Sequence, residues 1–158
     1  TKFKHMTVFD SNNIQDLVSK LNNQRVVFTN GCFDILHPGH IHYLTQARAL
    51  GDCLVVGLNS DASVKALKGD NRPIHPESFR SAMLMGLKPV DYVVVFSEAT
   101  PINVIQSLQP AVHVKGGDYT AASLPEYPVV TGYGGEVTII PFLEGYSSTS
   151  ILDRMQAG

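Results

Sequence analysis

Five short runs rich in β-branched residues dominate the hydrophobic pattern of the chain. They cover residues 25–29, 53–58, 92–96, 112–114 and 137–140. Most are apolar throughout instead of alternating between apolar and polar positions. Such runs are typical of strands whose two faces are both covered, as in parallel sheets. The pattern therefore predicts a buried, five-stranded sheet.

Segments with helical spacing flank and separate the predicted strands. Their apolar stripes comprise Ile14, Leu17, Val18 and Leu21; Ile41, Leu44, Ala47, Ala49 and Leu50; Ile102, Ile105 and Leu108; and Ile151, Leu152 and Met155. Alternating strands and helices predict an α/β fold, with a parallel sheet covered by helices on both faces. We interpret residues 1–158 as one domain, with residues 1–24 as an N-terminal helical extension and residues 25–158 as the core that carries the site.

Composition argues against several classes of function. The 158 residues are 44% hydrophobic and only 16% charged, with a formal net charge of −2 and two cysteines. No basic excess favours nucleic acid as a partner, and no apolar run approaches the roughly 18 residues of a membrane-spanning helix. The cysteine spacing fits neither a metal knuckle nor a redox pair. We expect a cytoplasmic protein that contacts no nucleic acid or membrane and holds no metal through its own side chains.

The most informative segment covers residues 30–40 and reads NGCFDILHPGH. It follows the first predicted strand, and ligands of such sheets bind at the carboxyl ends of the strands. Pro38 suits the first turn of a helix, so the segment ends at a helix N-terminus, where unpaired N–H groups and the helix dipole favour phosphate. His37 and His40 are three residues apart, so we expect both imidazoles on the same side, where they can donate hydrogen bonds to phosphate oxygens.

Two other interpretations of these histidines stay open at this point. Either ring can be only a polar cap of the helix. The HPGHIH run also suggests a metal site, but His42 lies two residues beyond His40 and is expected to point elsewhere, and no convincing third ligand appears. A dinucleotide site would need the G-x-G-x-x-G pattern, which Gly31 and Gly39 do not supply.

Three cations follow the second predicted strand. Asp61 is succeeded by Lys65, Lys68 and Arg72 within a loop that contains glycine and proline. This segment is either a solvated basic loop or one that brings cations to phosphate groups. Arg80 begins the next helical region, and we assign it a structural role.

Two further segments lie at the predicted carboxyl edge of the sheet. The KGGDY segment at residues 115–119 has two glycines, which allow the backbone to approach a flat ligand. Four consecutive hydroxyl side chains at residues 147–150 precede the last helical stripe. One hydroxyl suffices for a helix cap, so the others are available to hold phosphates at a helix N-terminus.

These motifs resemble those of a known superfamily. HPGH matches the H-x-G-H signature of the nucleotidyltransferases that include the cytidylyltransferases, and the G-x-F-D that precedes it after an apolar strand strengthens the match. Over residues 25–156 the chain is similar, more narrowly, to the adenylyltransferase domains of the bifunctional heptose enzymes of lipopolysaccharide biosynthesis. This resemblance rests on the order and spacing of TNGCFDILHPGH, NSDASVKALKGDNRPI, VDYVVVF, VKGGDY and EGYSSTSI.

The resemblance implies a Rossmann-like nucleotidyltransferase fold. It also implies an enzyme that transfers AMP from ATP to a sugar 1-phosphate, above all D-glycero-β-D-manno-heptose 1-phosphate, and releases pyrophosphate. It implies Mg²⁺ carried on the triphosphate. His37, His40 and Lys68 would be catalytic. The nucleotide would contact Asn30, Gly31, Cys32, Phe33, Gly116, Asp118, Ser148 and Thr149, and the sugar phosphate would contact Asp34, Asp61 and Arg72. Dimers are common among these relatives, so a homodimer is compatible with the resemblance.

Two rival functions use the same residues. Glycerol-3-phosphate cytidylyltransferases share the first loop, so transfer of CMP from CTP to glycerol 3-phosphate or a related alcohol phosphate is one alternative. Their tail has an arginine where this chain has Phe142, and their base-side motif is more acidic than KGGDY; both differences favour the heptose branch. A non-catalytic nucleotide-binding module is the other alternative. Because the bifunctional relatives carry a sugar kinase ahead of this domain, we expect a stand-alone or excised adenylyltransferase domain.

Overall fold

The computed structural model describes residues 7–142 and 147–157. Helices within these residues are α1 Ile14–Lys20, α2 Pro38–Arg48, α3 Asp61–Lys68, α4 Glu77–Met85, α5 Ile102–Leu108, α6 Tyr127–Gly132 and α7 Ser148–Ala157. The strands are β1 Val26–Gly31, β2 Cys53–Asn59, β3 Tyr92–Phe96, β4 Val112–Gly116 and β5 Glu136–Ile140. A 3₁₀ turn, Ala121–Ser123, lies between β4 and α6. Among the described residues, none of the helices has the length and apolar character needed to cross a bilayer.

The five strands form one parallel sheet in the order β3-β2-β1-β4-β5. The chain runs outward from β1 to β3 and then returns to the other side of β1 for β4 and β5. The helix after β1 packs on one face of the sheet, and the helix after β4 packs on the opposite face. Such a reversal opens a crevice at the carboxyl ends of the strands. The predicted α/β fold with a five-stranded parallel sheet is confirmed.

Each face of the sheet has its own hydrophobic core. On the first face α1, α5 and α6 cover residues such as Phe28, and Leu17 and Val130 are buried there. On the second face α2 and α4 cover residues such as Val27, against which Leu44 packs. Val27 and Phe28 are neighbours in the chain, and successive strand residues point to opposite faces. Burial on both faces explains why the strand runs are apolar throughout.

Two strands, β1 and β4, extend two residues beyond their predicted carboxyl ends. Asn30 and Gly31 belong to β1 and pair with residues of β2, although they were assigned to the first loop. Gly116 is the last residue of β4 and lies opposite Ile140. Backbone pairing continues past the last apolar side chain because the ladder needs only N–H and C=O groups. Residues predicted to contact a nucleotide are thus held by the sheet itself.

The segment before β1, interpreted as a helical extension, packs onto the sheet. The amide of Phe9 donates to the carbonyl of Val93 at 2.9 Å, and the amide of Val95 donates to the carbonyl of Phe9 at 2.8 Å. The Phe9 ring is buried. Residue 9 therefore adds a short parallel bridge beside β3, and α1 packs against α5 behind it.

Arg80, on α4, ties the carboxyl ends of β1 and β2 together. Its side chain is fully buried, and its Nη1 donates to the carbonyls of Cys32 at 2.8 Å and Asn59 at 2.7 Å. Its Nε donates to the carbonyl of His75 at 2.9 Å, and its Nη2 donates to the Asp61 carboxylate at 2.7 Å. A buried guanidinium is tolerated only when its donors are paired in this way. The structural role assigned to Arg80 has this physical basis.

We expect the Arg80→Met variant to lose about 3 kcal/mol of unfolding free energy, because it leaves buried carbonyls and a carboxylate without their donor. Urea denaturation followed by circular dichroism measures this loss. The matched control is Arg154→Met, at an exposed position of α7, which should change stability by no more than about 0.5 kcal/mol. Equal losses in the two variants would contradict the proposed tie between β1 and β2.

Candidate active site

A cavity of about 560 Å³ opens at the carboxyl edge of the sheet, in the crevice made by the topological reversal. Its walls come from the ends of β1, β2 and β4, the start of α2, the end of α3 and the tail before α7. It is lined by Asn30, Gly31, Cys32, Phe33, Asp34, His37, Gly39, His40, Tyr43, Asn59, Leu67, Lys68, Ala99, Pro101, Lys115, Gly116, Tyr119, Glu126, Phe142, Ser147 and Thr149.

The structure brings most of the sequence-predicted site residues to this cavity. Those that line it are Asn30, Gly31, Cys32, Phe33, Asp34, His37, His40, Lys68, Gly116 and Thr149. Three others, Asp61, Arg72 and Asp118, are not among its lining residues. Ser148 is the first residue of α7, but its side chain lies outside the described atoms, as do residues 143–146 of the predicted EGYSSTSI segment.

The two histidines start helix α2 by a reciprocal cap. Pro38 is the first helical residue, and the Nδ1 atom of His37 accepts a hydrogen bond from the amide of Gly39 at 3.1 Å. The Nδ1 atom of His40 in turn accepts from the amide of His37 at 3.3 Å. The rings stack with their centroids 3.9 Å apart. Both imidazoles therefore cap the helix, as one of the open interpretations held, and both also face the cavity.

This cap determines which ring nitrogen carries the proton. In a neutral imidazole one nitrogen is a donor and the other an acceptor. Because each Nδ1 accepts a backbone N–H, the proton of each neutral ring belongs on Nε2. Burial lowers the pKa of His40 to about 4, with the charges of His37 and Lys68 acting in the same direction, and burial also lowers the pKa of His37. Near pH 7 both rings are neutral Nε2–H donors at a helix N-terminus.

Phe33 folds back over the end of β1 and packs near the second histidine. Its backbone has a φ of 46°, in the left-handed region. Its ring centroid lies 5.3 Å from that of His40. A side chain at Gly31 would place its Cβ 2.9 Å from the Phe33 ring, so only glycine leaves room for this arrangement.

Asp34 holds the segment that follows α3. It is 3% exposed, and its carboxylate accepts from Arg72 Nε at 2.7 Å and from the amides of Ile74 and His75 at 2.9 to 3.0 Å. Burial raises the pKa of Asp34, but these hydrogen bonds and the Arg72 charge outweigh it and leave the pKa below its ordinary value. The Asp34 carboxylate is thus occupied by this segment, although its residue borders the cavity. Direct contacts from Asp34, Arg72 and Asp61 to a sugar phosphate stay predictions.

The two lysines of α3 differ in position. Lys68 is the last residue of the helix and lines the cavity. Lys65 is exposed, lies 3.9 Å from Asp70, and is not among the cavity-lining residues. Of the two lysines, Lys68 is therefore the one placed to meet a ligand in the cavity.

The far wall of the cavity is formed by the end of β4. A Cβ atom at Gly116 would lie 2.6 Å from the Phe142 ring, so this ring packs directly against the glycine backbone. Lys115 and Tyr119 also line the cavity, and the Lys115 ammonium lies 5.8 Å from the Tyr119 ring centroid. Asp118, predicted to contact the nucleotide, is exposed beside them.

Three polar residues of the cavity, Tyr43, Lys115 and Glu126, were not among the predicted site residues. The Tyr43 hydroxyl hydrogen-bonds with Thr29 and donates to the carbonyl of Val114 at 3.2 Å, and burial raises the pKa of Tyr43 to about 12. Its i+3 spacing from His40 could have placed it on the cavity side of α2. Lys115 belonged to a weak turn pattern. Glu126 belonged to no motif and reaches the cavity only because of tertiary folding.

In the described part of the chain, no group of three or more His, Cys, Asp or Glu side chains is arranged to hold a metal ion. His42 is exposed on α2. What the cavity does offer is N–H groups, two lysines and hydroxyls, the donors that bind phosphate oxygens.

Comparisons with known proteins place the chain among relatives. It matches the family model described as Cytidylyltransferase-like over residues 28–154. Bifunctional protein HldE from Geobacter sulfurreducens is 52% identical over 136 residues, covering 86% of this chain and 28% of that protein. The protein of the same name from Nitrobacter hamburgensis is 56% identical over 130 residues, covering 82% and 27%. The chain thus spans little more than a quarter of the length of these curated relatives.

Solved structures agree with the fold. The lipopolysaccharide core biosynthesis protein from Thermoplasma volcanium matches with a TM-score of 0.63 and 30% identity, covering 79% of this chain and 100% of that chain. Pantothenate synthetase from Thermus thermophilus matches with a TM-score of 0.66 over 95% of this chain and 71% of that chain, but at 16% identity it shows the fold alone. Since the family match covers most of the chain and includes both histidines of the cavity, the chain belongs to the cytidylyltransferase-like family.

Proposed function

We propose that the protein transfers AMP from ATP to D-glycero-β-D-manno-heptose 1-phosphate, yielding ADP-heptose and pyrophosphate for lipopolysaccharide core synthesis. The observation that carries the proposal is the pair of neutral Nε2–H donors at the start of α2, next to Lys68, in one cavity at the carboxyl edge of the sheet. In this proposal the protein binds ATP and the sugar phosphate and acts in the cytoplasm. A homodimer stays a prediction.

The chemistry needs no covalent enzyme intermediate and no strong base. An oxygen of the acceptor phosphate, already anionic near pH 7, forms a bond to the α-phosphorus of ATP. The bond from that phosphorus to the bridging oxygen breaks in line, and its electron pair leaves with pyrophosphate. Catalysis is then positioning and stabilisation of charge. His37 and His40 donate to the α-phosphate oxygens, and Lys68 bridges the triphosphate and the acceptor phosphate.

The remaining roles follow the walls of the cavity. The nucleotide near its α-phosphate contacts the backbone of Cys32 and Phe33 and the amide side chain of Asn30. Gly116 lies by the base or ribose. The distal phosphates bind Thr149 and Ser148. Mg²⁺ supplies neutralisation of the triphosphate charge when bound. Asp34 is engaged with the segment after α3, which fits a metal that arrives on the triphosphate and retains its waters.

The choice of ATP and a heptose phosphate is supported by the HldE relatives and by Phe142. Phe142 lines the cavity where the glycerol-phosphate enzymes that share the first loop have an arginine. An apolar ring there offers no charge to a small anionic acceptor. A large polyhydroxyl acceptor instead needs several hydrogen bonds, and a site built for them rejects acceptors that leave its polar groups unpaired.

The substrate assignment is tested by a pyrophosphate-release screen of ATP, CTP, GTP and UTP against heptose 1-phosphates of both anomers and glycerol 3-phosphate, with Mg²⁺. We expect ATP with the β-anomer to give the highest kcat/KM, and CTP with glycerol 3-phosphate to be poorer by about 10²-fold or more. Activity only with CTP and glycerol 3-phosphate would overturn the substrates. Pyrophosphate release with none of the pairs, with nucleotide binding retained, would favour a binding module.

The histidine donors are tested by a variant that keeps the helix cap. In His37→Asn the amide oxygen can still cap α2, because asparagine is a favoured N-cap residue, but the Nε2–H donor is lost. We expect kcat to fall by about 10²-fold, as on removal of one preorganised donor, with little change in melting temperature. His42→Asn, at an exposed position of the same helix, is the control. Near wild-type turnover by His37→Asn would refute the assignment.

The two lysines of α3 provide a matched pair. Lys68→Ala should lower kcat/KM by about 10²-fold, since it removes the cation that faces the phosphates. Lys65→Ala, which removes an exposed lysine of the same helix, should change kcat/KM by less than about 3-fold. Steady-state kinetics that gave the reverse order would move the bridging role to Lys65.

A further inference from the structure

One buried carboxylate on the cavity wall takes no part in the proposed reaction. Glu126 immediately precedes α6, is 4% exposed and borders the cavity. Its Oε2 atom is buried and has no hydrogen-bond partner within the described parts of the chain. Nor do the ion pairs found among the described residues include Glu126.

Neighbouring side chains do not compensate the Glu126 carboxylate. His113, on β4, is fully buried and stacks on Phe28 with ring centroids 5.6 Å apart. Burial lowers the pKa of His113 to about 4, although the charge of Glu126 acts in the opposite direction, so the ring is neutral near pH 7. Lys115 borders the same cavity, but its ammonium lies over the Tyr119 ring.

A buried carboxylate oxygen without a partner, as Glu126 Oε2 is, needs an explanation, because burial of a polar atom without a partner costs free energy. Nearly all buried polar atoms in folded proteins have a partner, and the exceptions concentrate where a ligand or an ordered water completes the contacts. Glu126 borders an open cavity, so a ligand in that cavity can supply the missing donor.

The position of Glu126 selects the part of the ligand that it meets. The histidine donors start α2, which packs on the second face of the sheet, whereas α6 packs on the first face. The cavity therefore crosses the carboxyl edge from a side with phosphate donors to a side with a carboxylate. A carboxylate repels phosphate and attracts N–H and O–H groups. With the phosphates at the start of α2, the uncharged nucleoside is the part that extends toward Glu126.

We propose that Glu126 binds the nucleoside by accepting a hydrogen bond, either from a ribose hydroxyl or from the exocyclic amino group of the base. This inference rests on the proposed binding of ATP and adds a nucleoside-binding residue to it. The carboxylate strengthens the contact because hydrogen bonds to a charged acceptor are about twice as strong as neutral ones. It also disfavours a base that turns a carbonyl oxygen toward it, since two acceptors then face each other.

The test compares Glu126→Gln with Glu136→Gln, which alters an exposed glutamate of β5 that pairs with Arg25 away from the cavity. Isothermal titration calorimetry with Mg²⁺ and ATP, without sugar phosphate, measures nucleotide affinity independently of turnover. We expect Glu126→Gln to raise the Kd for ATP by about 10-fold, with the KM for the sugar phosphate unchanged. Glu136→Gln should bind ATP as the wild type does.

Nucleotide analogues identify which group of the nucleoside donates to Glu126, and they test the contact in the wild-type protein. 2′-Deoxy-ATP and 3′-deoxy-ATP each lack one ribose hydroxyl, and purine riboside triphosphate lacks the amino group. The analogue without the donor that Glu126 binds should bind the wild type about 10-fold more weakly, and Glu126→Gln should add no further loss for it. If all three analogues bind the wild type as tightly as ATP does, the inference is overturned, whatever the variant does.

Three further outcomes separate this inference from the proposed function. Wild-type protein that binds ATP, with Glu126→Gln binding it equally well, overturns the inference alone. A change confined to the KM for the sugar phosphate also overturns it, because Glu126 would then face the acceptor. A correctly folded wild type that binds no ATP overturns both the proposed function and the role of Glu126.

Discussion

The path of the backbone after β1 is the constraint on which the rest of the site depends. Within a few residues of the strand end, the carbonyl of Cys32 accepts a hydrogen bond from Arg80, and Phe33 adopts a left-handed backbone conformation. The Asp34 carboxylate then accepts hydrogen bonds from the segment that follows α3. Helix α2 then begins with His37. The chain must turn toward the second face of the sheet here, and these two contacts and the Phe33 conformation stabilise that turn. The direction of the helix N-terminus, and with it the donors that face the cavity, follows from this path.

Most donors in the cavity are uncharged, so a chain of slightly negative net charge can still offer the contacts that the proposed triphosphate needs. His37 and His40 accept backbone N–H bonds through Nδ1, and their pKa values are lowered, so each presents an N–H without carrying a charge. Lys68 is the lysine of α3 that borders the cavity. Neutral donors held by the helix cap need no reorganisation when charge develops on the phosphate, and preorganisation of this kind is the main source of electrostatic catalysis.

The buried arginine and aspartate beneath the cavity show how polar groups can support a site without facing its ligand. Arg80 satisfies carbonyls at the ends of β1 and β2, and Asp34 satisfies amides after α3. Both ions are inside the protein because loops at the carboxyl edge leave main-chain groups that no ladder pairs. These hydrogen bonds connect the strand ends and loops around the opening in which Lys68 and the histidines lie.

The sequence by itself determined the fold class and the start of α2. Strand-length apolar runs that alternate with helical segments favour a covered parallel sheet, and Pro38 between two histidines indicates a local helix start within a few residues of chain. The resemblance to the adenylyltransferase domains also predicted that Lys68, and not only the first loop, belongs to the site, and Lys68 does line the cavity. These features depend on neighbours in the chain, so a linear pattern suffices to reveal them.

Only the tertiary structure decided which polar residues share the cavity and which serve the protein itself. Asp34 and Asp61, both expected to contact a sugar phosphate, hold Arg72 and Arg80 respectively. Glu126 follows β4 by ten residues and carries no motif, yet it borders the same cavity as the first loop. The physical reason is that the strand order brings β1 beside β4 although more than 80 residues separate them. The partner of a buried charge across such a distance depends on packing, which local patterns do not encode.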